Sequence, residues 1–152
     1  MSQTFGAKPH KLDSAGRMKL RDEERRVLGS QVVLACGQDG CINVFTLDSW
    51  QKFAAVFDKL PVNNAKARRL RRLLRDTGED CEVDAQNRLR IPEGFLKWAG
   101  LGGVKLQARL VYAGDRWELW EEEAYWQSLK AATELEDETQ QALDAASEEE
   151  GP

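Results

Sequence analysis

The five-residue pattern Asp-x-x-x-Arg occurs twice in this chain, each time in the same sequence context. The copies occupy residues 13–17 and 84–88, and Gly29 and Gly100 repeat with the same offset of 71 residues. Each copy is followed by the signals of a short strand and a short helix. A duplication of this length predicts two copies of one small fold, which constrains the chain to a pseudo-symmetric arrangement.

The two halves predict the same order of elements. In the first half we expect a turn over 13–17, a helix over 21–28, strands over 31–36 and 42–45 around a turn at 37–40, and an amphipathic helix over 47–57. In the second half we expect strands over 78–83 and 88–91, a helix over 93–99, strands over 104–108 and 116–120, and a helix over 121–130.

The expected fold class is α+β, with both repeats in one pseudo-symmetric domain. We place the first repeat at 1–60, a basic linking helix at 61–77, the second repeat at 78–130 and an acidic, disordered tail at 131–152.

The linking segment has an apolar face made by Ala67, Leu70 and Leu74, and its other positions are rich in lysine and arginine. This pattern predicts an amphipathic helix with a cationic face. Three interpretations stay open for the cations: they face water, they contact phosphate, or they form salt bridges to a neighbouring subunit.

The charge of the chain is unevenly distributed. The formal net charge is −4, but residues 134–152 contain eight acidic side chains and no lysine or arginine. A mildly basic body therefore carries an acidic tail, which either keeps the protein soluble or competes with a polyanion for the basic surface.

Several classes of protein are disfavoured. No apolar run approaches the roughly 18 residues that span a bilayer, and the N-terminus lacks the apolar segment of a signal peptide, so we expect an intracellular protein. Its one histidine, His10, and the lack of a nucleophile elbow or phosphate loop argue against an enzyme.

The cysteines are interpreted as small buried hydrophobic residues. Their odd number, three, argues against a disulfide framework in an intracellular chain. A metal site needs more ligands at short spacing than this sequence offers, so we expect neither a metal nor another cofactor.

The repeated motif has two physical interpretations. An aspartate that opens a tight turn accepts backbone N–H groups, and the arginine four residues later emerges from the next strand. Its guanidinium either binds a phosphate or a guanine edge, or it pairs with the aspartate and serves the architecture alone. The pattern by itself does not separate these alternatives.

At these residues the sequence resembles the MraZ family of bacterial transcription regulators, which has the swapped-hairpin AbrB-like fold. The first signature is carried by His10-x-Leu12-Asp13-x-x-Gly16-Arg17 and the second by Asp84-x-x-x-Arg88-x-x-Ile91-Pro92. The chain departs from the family pattern in three places: Ala15 replaces a lysine, Arg21 replaces a proline and Asn87 replaces a glycine.

The resemblance implies two tandem AbrB-like repeats and a ring-shaped homo-oligomer. It also implies a cytoplasmic, nucleoid-associated protein that binds double-stranded DNA at short direct repeats in the promoter of the division and cell-wall genes, usually as a repressor. No small-molecule substrate or membrane is expected. The implied DNA-binding residues are Arg17, Arg88, Lys11 and Lys19, and the implied turn-stabilising residues are Asp13, Gly16, Asp84 and Asn87.

An alternative keeps the fold and changes the function. Swapped-hairpin proteins also serve as antitoxins or scaffolds that bind a protein partner through an extended tail. The acidic segment 134–152 fits such a role.

Overall fold

The computed structural model describes residues 8–103, 106–133 and 136–149 of the chain. The strands are β1 (His10–Lys11), β2 (Arg17–Lys19), β3 (Gln31–Cys36), β4 (Ile42–Thr46), β5 (Glu79–Glu82), β6 (Arg88–Arg90), β7 (Gln107–Tyr112) and β8 (Trp117–Glu121). The helices are α1 (Asp22–Leu28), α2 (Leu47–Asp58), α3 (Ala65–Leu74), α4 (Glu93–Trp98), α5 (Glu122–Thr133) and α6 (Glu136–Glu149). Residues up to Glu122 belong to one compact unit and residues from Glu123 onward to another.

Strand pairing reproduces the internal duplication. The larger sheet has the order β1-β7-β8-β4-β3-β5 and the smaller one pairs β2 with β6, all antiparallel. Strands β1 to β4 of the first half correspond, in order, to β5 to β8 of the second half. When each strand is replaced by its counterpart, the order of the larger sheet becomes the same order read backwards. In the smaller sheet Met18 lies opposite Leu89, its own counterpart at the offset of 71 residues. The symmetry axis therefore passes through this pair.

The two halves of the chain are interlocked by strand pairing. β1 pairs with β7 of the second half, and β5 pairs with β3 of the first. Single bridges from Leu12 to Met18 and from Val83 to Leu89 join the small sheet to both edges of the large one. The strands thus close into a ring in which each half supplies hydrogen bonds to the other. This arrangement confirms the α+β fold of swapped hairpins.

The main core lies inside this ring of strands. Leu20, Val32, Ile42, Leu89 and Leu119 are each at most 2% exposed and belong to one contiguous cluster. Burying a leucine or valine side chain of this kind contributes roughly 1.5–3 kcal/mol relative to leaving it in water.

A second apolar cluster lies on the other face of the larger sheet. It holds Val33, Ala35 and Phe45, with Trp50 and Phe53 of α2 packed against them. The ring centroids of Phe45 and Trp50 are 5.1 Å apart in an edge-to-face arrangement, which aromatic quadrupoles favour. The helical spacing of the aromatic residues in α2 thus reflects core packing.

Local signals start and stop the helices as the sequence indicates. The Thr46 hydroxyl accepts the Ser49 N–H at the start of α2, and the Asn64 side chain accepts the Ala67 N–H at the start of α3. Gly29 ends α1 with a φ of 83°, a conformation that glycine adopts without strain.

The expected strand over 104–108 is misplaced. β7 runs from Gln107 to Tyr112, while residues 104 and 105 lie outside the described part of the chain. The strand is positioned by its partners, since Gln107 pairs with Lys11 and Tyr112 pairs with Trp117. A pattern read along one strand does not contain this cross-strand information.

The segment predicted to be a disordered tail contains helical residues in the part that the structure describes. Residues 136–149 form α6, and α5 continues to Thr133. The segment is rich in glutamate, glutamine, alanine and leucine, which have high helix propensity. Gln140 also donates to the Asp144 carboxylate at 2.9 Å, one turn later. Local propensity rather than burial favours this helix, since Leu143 is 57% exposed.

Candidate nucleic-acid interface

The two Asp-x-x-x-Arg motifs form turns with the same geometry. Asp13 Oδ1 accepts the backbone N–H of Ala15 and of Arg17, each at 2.9 Å. Asp84 Oδ1 accepts those of Gln86 and Arg88 at the same distance. The pKa of both carboxyl groups lies below its usual value, chiefly because each accepts the backbone N–H of the arginine in its own turn. Both turns are therefore held by ionised aspartates at neutral pH.

Each turn needs a left-handed residue before its arginine. Gly16 has a φ of 75° and Asn87 a φ of 61°. A side chain at Gly16 would also place its Cβ 2.8 Å from Cδ1 of Leu96. At the second position asparagine meets the backbone requirement, because its short polar side chain tolerates this conformation better than most.

These two residues also tie the halves together. The Leu20 N–H donates to the Asn87 carbonyl at 2.7 Å, and the Ile91 N–H donates to the Gly16 carbonyl at 3.0 Å. The two bonds are equivalent under the internal symmetry. The turns are therefore fixed against each other as well as internally.

Each arginine pairs with the aspartate of its own turn. The Nε atom of Arg17 lies 2.8 Å from Oδ2 of Asp13, and Arg88 and Asp84 make the same contact. The arginine side chains nevertheless stay about a third exposed, at 35% and 32%. Among the described residues none accepts a hydrogen bond from their Nη atoms. One edge of each guanidinium is anchored, while its Nη atoms have no partner within the described part of the chain.

A cationic ribbon is formed where β2 pairs with β6. Met18 and Leu89 point into the core, so the alternating residues face outward as two cross-strand pairs, Arg17 with Arg90 and Lys19 with Arg88. Like charges directly opposite each other are destabilising in an antiparallel pair. The β2–β6 ribbon therefore concentrates positive charge at some cost to stability.

Sequence reasoning missed Arg90, which faces outward on the ribbon. The signal was present, because Arg90 stands 71 residues after Lys19 and is its counterpart. The predicted residue Lys11 lies in β1 and is exposed. It stands next to the ribbon, one residue before the bridge between Leu12 and Met18.

A buried polar pair supports the first signature and has no counterpart in the second. His10 Nε2 lies 3.0 Å from Oε2 of Glu24, and both residues are under 10% exposed. Burial raises the pKa of Glu24, but the hydrogen bonds from His10 and from the Arg21 N–H outweigh it and leave the pKa lowered. The pair links β1 to α1.

The basic helix α3 is only partly available to a ligand. Arg75 Nε lies 3.1 Å from Oδ1 of Asp58, and Arg71 lies within 3.9 Å of both Asp58 and Asp76. Arg68 donates to the Val62 carbonyl at 2.9 Å. These contacts give part of the cationic face an architectural role within the chain.

The cysteines behave as hydrophobic residues. Burial raises the pKa of Cys41 to about 12 and that of Cys81 to about 11, which keeps both thiols protonated and unreactive. Within residues 8–103, 106–133 and 136–149, no group of three or more histidine, cysteine or acidic residues is placed to hold a metal ion. No helix in those ranges has the length and apolar character needed to cross a membrane.

Comparison with known proteins decides the family. A transcriptional regulator MraZ from Lactiplantibacillus plantarum is 33% identical over 85% of this chain and 89% of its own length. The chain belongs to the MraZ family. A family model described as "MraZ protein, putative antitoxin-like" matches residues 4–73. A relative with the same name from Methylococcus capsulatus is 35% identical over 73% of this chain and 74% of its own length. Another, from Lachnoclostridium phytofermentans, is 35% identical over 75% of this chain and 84% of its own length.

Membership in the MraZ family confirms the resemblance drawn from the two signatures. The family model covers the first signature and all but the last residue of α3, and it ends before the second signature. The relatives extend the similarity over most of the chain.

Proposed function

We propose that this protein is a DNA-binding transcriptional regulator, not an enzyme, and that the outer face of the β2–β6 ribbon meets the DNA. The observation that carries the proposal is the set of four outward-facing cations on this ribbon. The names of the relatives, transcriptional regulators MraZ, support the same function.

The ribbon has the shape and chemistry for this role. A two-stranded antiparallel ribbon fits the major groove of B-DNA, where arginine makes bidentate contacts with guanine. The anchored Nε atoms of Arg17 and Arg88 restrict each guanidinium, so less side-chain entropy is lost when the Nη atoms bind phosphate or base. A polyanion would also relieve the repulsion between the cross-strand cations.

The family resemblance supports a more detailed proposal. The protein acts as a ring-shaped homo-oligomer on short direct repeats in the promoter of the division and cell-wall genes, as a repressor in the nucleoid. A single ribbon contributes few contacts, so affinity for the promoter comes from several subunits bound to neighbouring repeats.

Removing two cations from the ribbon tests the DNA interface. We expect Lys19→Thr with Arg88→Thr to lower the slope of log affinity against log salt by about 2, since each lost phosphate contact removes about 0.9. The measurement is fluorescence anisotropy of a labelled duplex taken from the region upstream of the chain's own coding sequence, at several salt concentrations.

The matched control removes the same charge elsewhere. Lys52 pairs with Asp48 on α2, and Lys59 is exposed at the end of that helix, so Lys52→Thr with Lys59→Thr should leave the slope within about 0.5 of the parent. Equal losses in both double variants would mean that net charge, and not the ribbon, controls binding.

A second candidate function is an antitoxin-like scaffold that binds a protein partner through the acidic segment 134–152. The description of the family model as antitoxin-like favours it, as does the exposure of Leu143 in α6. A chain truncated after residue 133 that keeps full DNA binding but loses a copurifying basic protein would support this function.

A further inference from the structure

The two ends of the β2–β6 ribbon have the same backbone but different charge. Cross-strand partners in an antiparallel ladder lie on one face, so the ladder can be divided into rows. Leu12 and Met18 form an antiparallel bridge. The next pair in the same register is Lys11 with Lys19, so these two residues lie side by side. The corresponding bridge from Val83 to Leu89 sets Glu82 beside Arg90.

Two rows related by the internal symmetry result. The Lys11 row contains Lys11, Lys19, Arg88 and Asp84. The Glu82 row contains Glu82, Arg90, Arg17 and Asp13. The rows differ in sign at one position, because Glu82 is the counterpart of Lys11. The Lys11 row thus has three cations and one acid, and the Glu82 row has two of each.

The strands beside the ribbon strengthen this difference. β5 brings Glu79, Asp80 and Glu82 to the groove that also contains Arg90 and the first turn at residues 14–16. All three acids are exposed. The counterparts of Glu79 and Asp80 in the first half are Lys8 and Pro9, neither of which is acidic. A phosphate that approaches Arg90 in this groove therefore meets the three carboxylates of β5.

The cations of the Lys11 row are also free to bind a ligand. No carboxylate of the described residues lies within ion-pair distance of Lys11 or Lys19, and Arg88 pairs only through Nε with Asp84. Lys11 and Glu82 lie on the outermost of four neighbouring strands, about 14 Å apart at the usual strand spacing. This distance exceeds the screening length of about 8 Å at physiological salt, so these two charges act separately on bound phosphates.

We propose that the Lys11 row makes the phosphate contacts to DNA, with Arg88 as its central cation, whereas Arg17 in the Glu82 row mainly holds its own turn. This inference rests on the proposed function. It adds an asymmetry between the two rows, which we call the polarity of the site. It differs from the expectation that Arg17 and Arg88 both bind DNA. The internal duplication gives the ribbon two rows with the same backbone. A few differences in surface charge leave only the Lys11 row suited to bind phosphate.

Equivalent arginine substitutions in the two rows test the polarity. We expect Arg88→Ala to weaken binding of the labelled upstream duplex about tenfold or more, and Arg17→Ala to weaken it less than about threefold. Both variants lose the same charge and the same internal ion pair, so their folding costs match. A loss from Arg17→Ala that equals or exceeds the loss from Arg88→Ala would overturn the proposal.

Charge reversals at the exposed edges give a second readout that does not disturb either turn. Lys11→Glu should weaken binding about tenfold and reduce the salt slope, while Glu82→Lys should strengthen binding and increase the slope. If neither reversal changes the affinity, the polarity is wrong although DNA binding itself stands. If the parent protein shows no salt-dependent binding to the duplex, the proposed function fails and the polarity fails with it.

Discussion

Leu89→Ala is expected to lower the free energy of unfolding by about 2–5 kcal/mol, the range observed when a buried leucine is truncated. Leu89 is fully buried and lies opposite Met18 at the centre of the β2–β6 ribbon. Among the residues of β6, it is Leu89 that belongs to the core cluster inside the ring of strands. Truncation leaves a cavity at the point where the two halves meet, and the closed ring of strands restricts the relaxation that would fill it.

Urea denaturation followed by tryptophan fluorescence measures this loss. Met18→Ala, the equivalent substitution in the other half, should cost a similar amount because Met18 is 1% exposed in the same cluster. Leu47→Ala is the matched control, since Leu47 is 43% exposed on α2 and should change stability by less than about 0.5 kcal/mol. A cost below about 1 kcal/mol for Leu89→Ala would show that the ribbon does not close the core.

The sequence was sufficient to predict most local elements. Periodicity of apolar residues indicates β3, β4 and α2, and the turn signals at Gly16 and Gly40 mark residues with positive φ. The duplication also allowed each element to be checked against its counterpart. Such local features are set by near neighbours along the chain, which is why they can be read from one sequence.

Pairing between the halves could not be predicted from periodicity. Nothing local to residues 17–19 indicates that they pair with residues 88–90, since this register depends on contacts far apart in the chain. The outward pair of Arg17 with Arg90 follows only once that register is known. The position of β7 was wrong for the same reason.

The polarity of the candidate site also could not be predicted from the sequence, because it depends on which strands lie side by side in the structure. Glu79, Asp80 and Glu82 precede the second turn in the sequence, which suggests that they affect Arg88. The strand exchange instead brings them to the groove of the first turn. The buried contact of His10 with Glu24 was missed similarly, because the two residues are 14 positions apart on different elements.

Glu24→Ala is expected to lower the free energy of unfolding by about 3–5 kcal/mol at neutral pH, since removal of one partner leaves the rest of a buried polar pair uncompensated. Glu24 is 2% exposed and accepts from the Arg21 N–H at 2.8 Å as well as contacting His10. Thermal and urea unfolding measure the cost. If the Glu24→Ala variant is as stable as the parent protein, the pair does not stabilise the fold.

Acid should remove the same stabilisation in the parent protein. The folded-state pKa of Glu24 is lowered relative to the unfolded chain, so its contribution is fully present above the unfolded pKa and is lost as pH falls through the folded pKa. We therefore expect the cost of Glu24→Ala to shrink as the pH is lowered below about 4.

The second repeat supplies an internal control for this prediction. Cys81 and Phe95 occupy the positions equivalent to His10 and Glu24, so the same backbone accommodates an apolar pair there. The double substitution His10→Cys with Glu24→Phe should recover most of the stability lost in Glu24→Ala, because replacing both members of a buried pair by apolar residues is often close to neutral. The double variant should also show less loss of stability in acid than the parent. If it is as unstable as Glu24→Ala at neutral pH, the space around β1 and α1 differs from that around β5 and α4, and the equivalence of the two repeats does not extend to their cores.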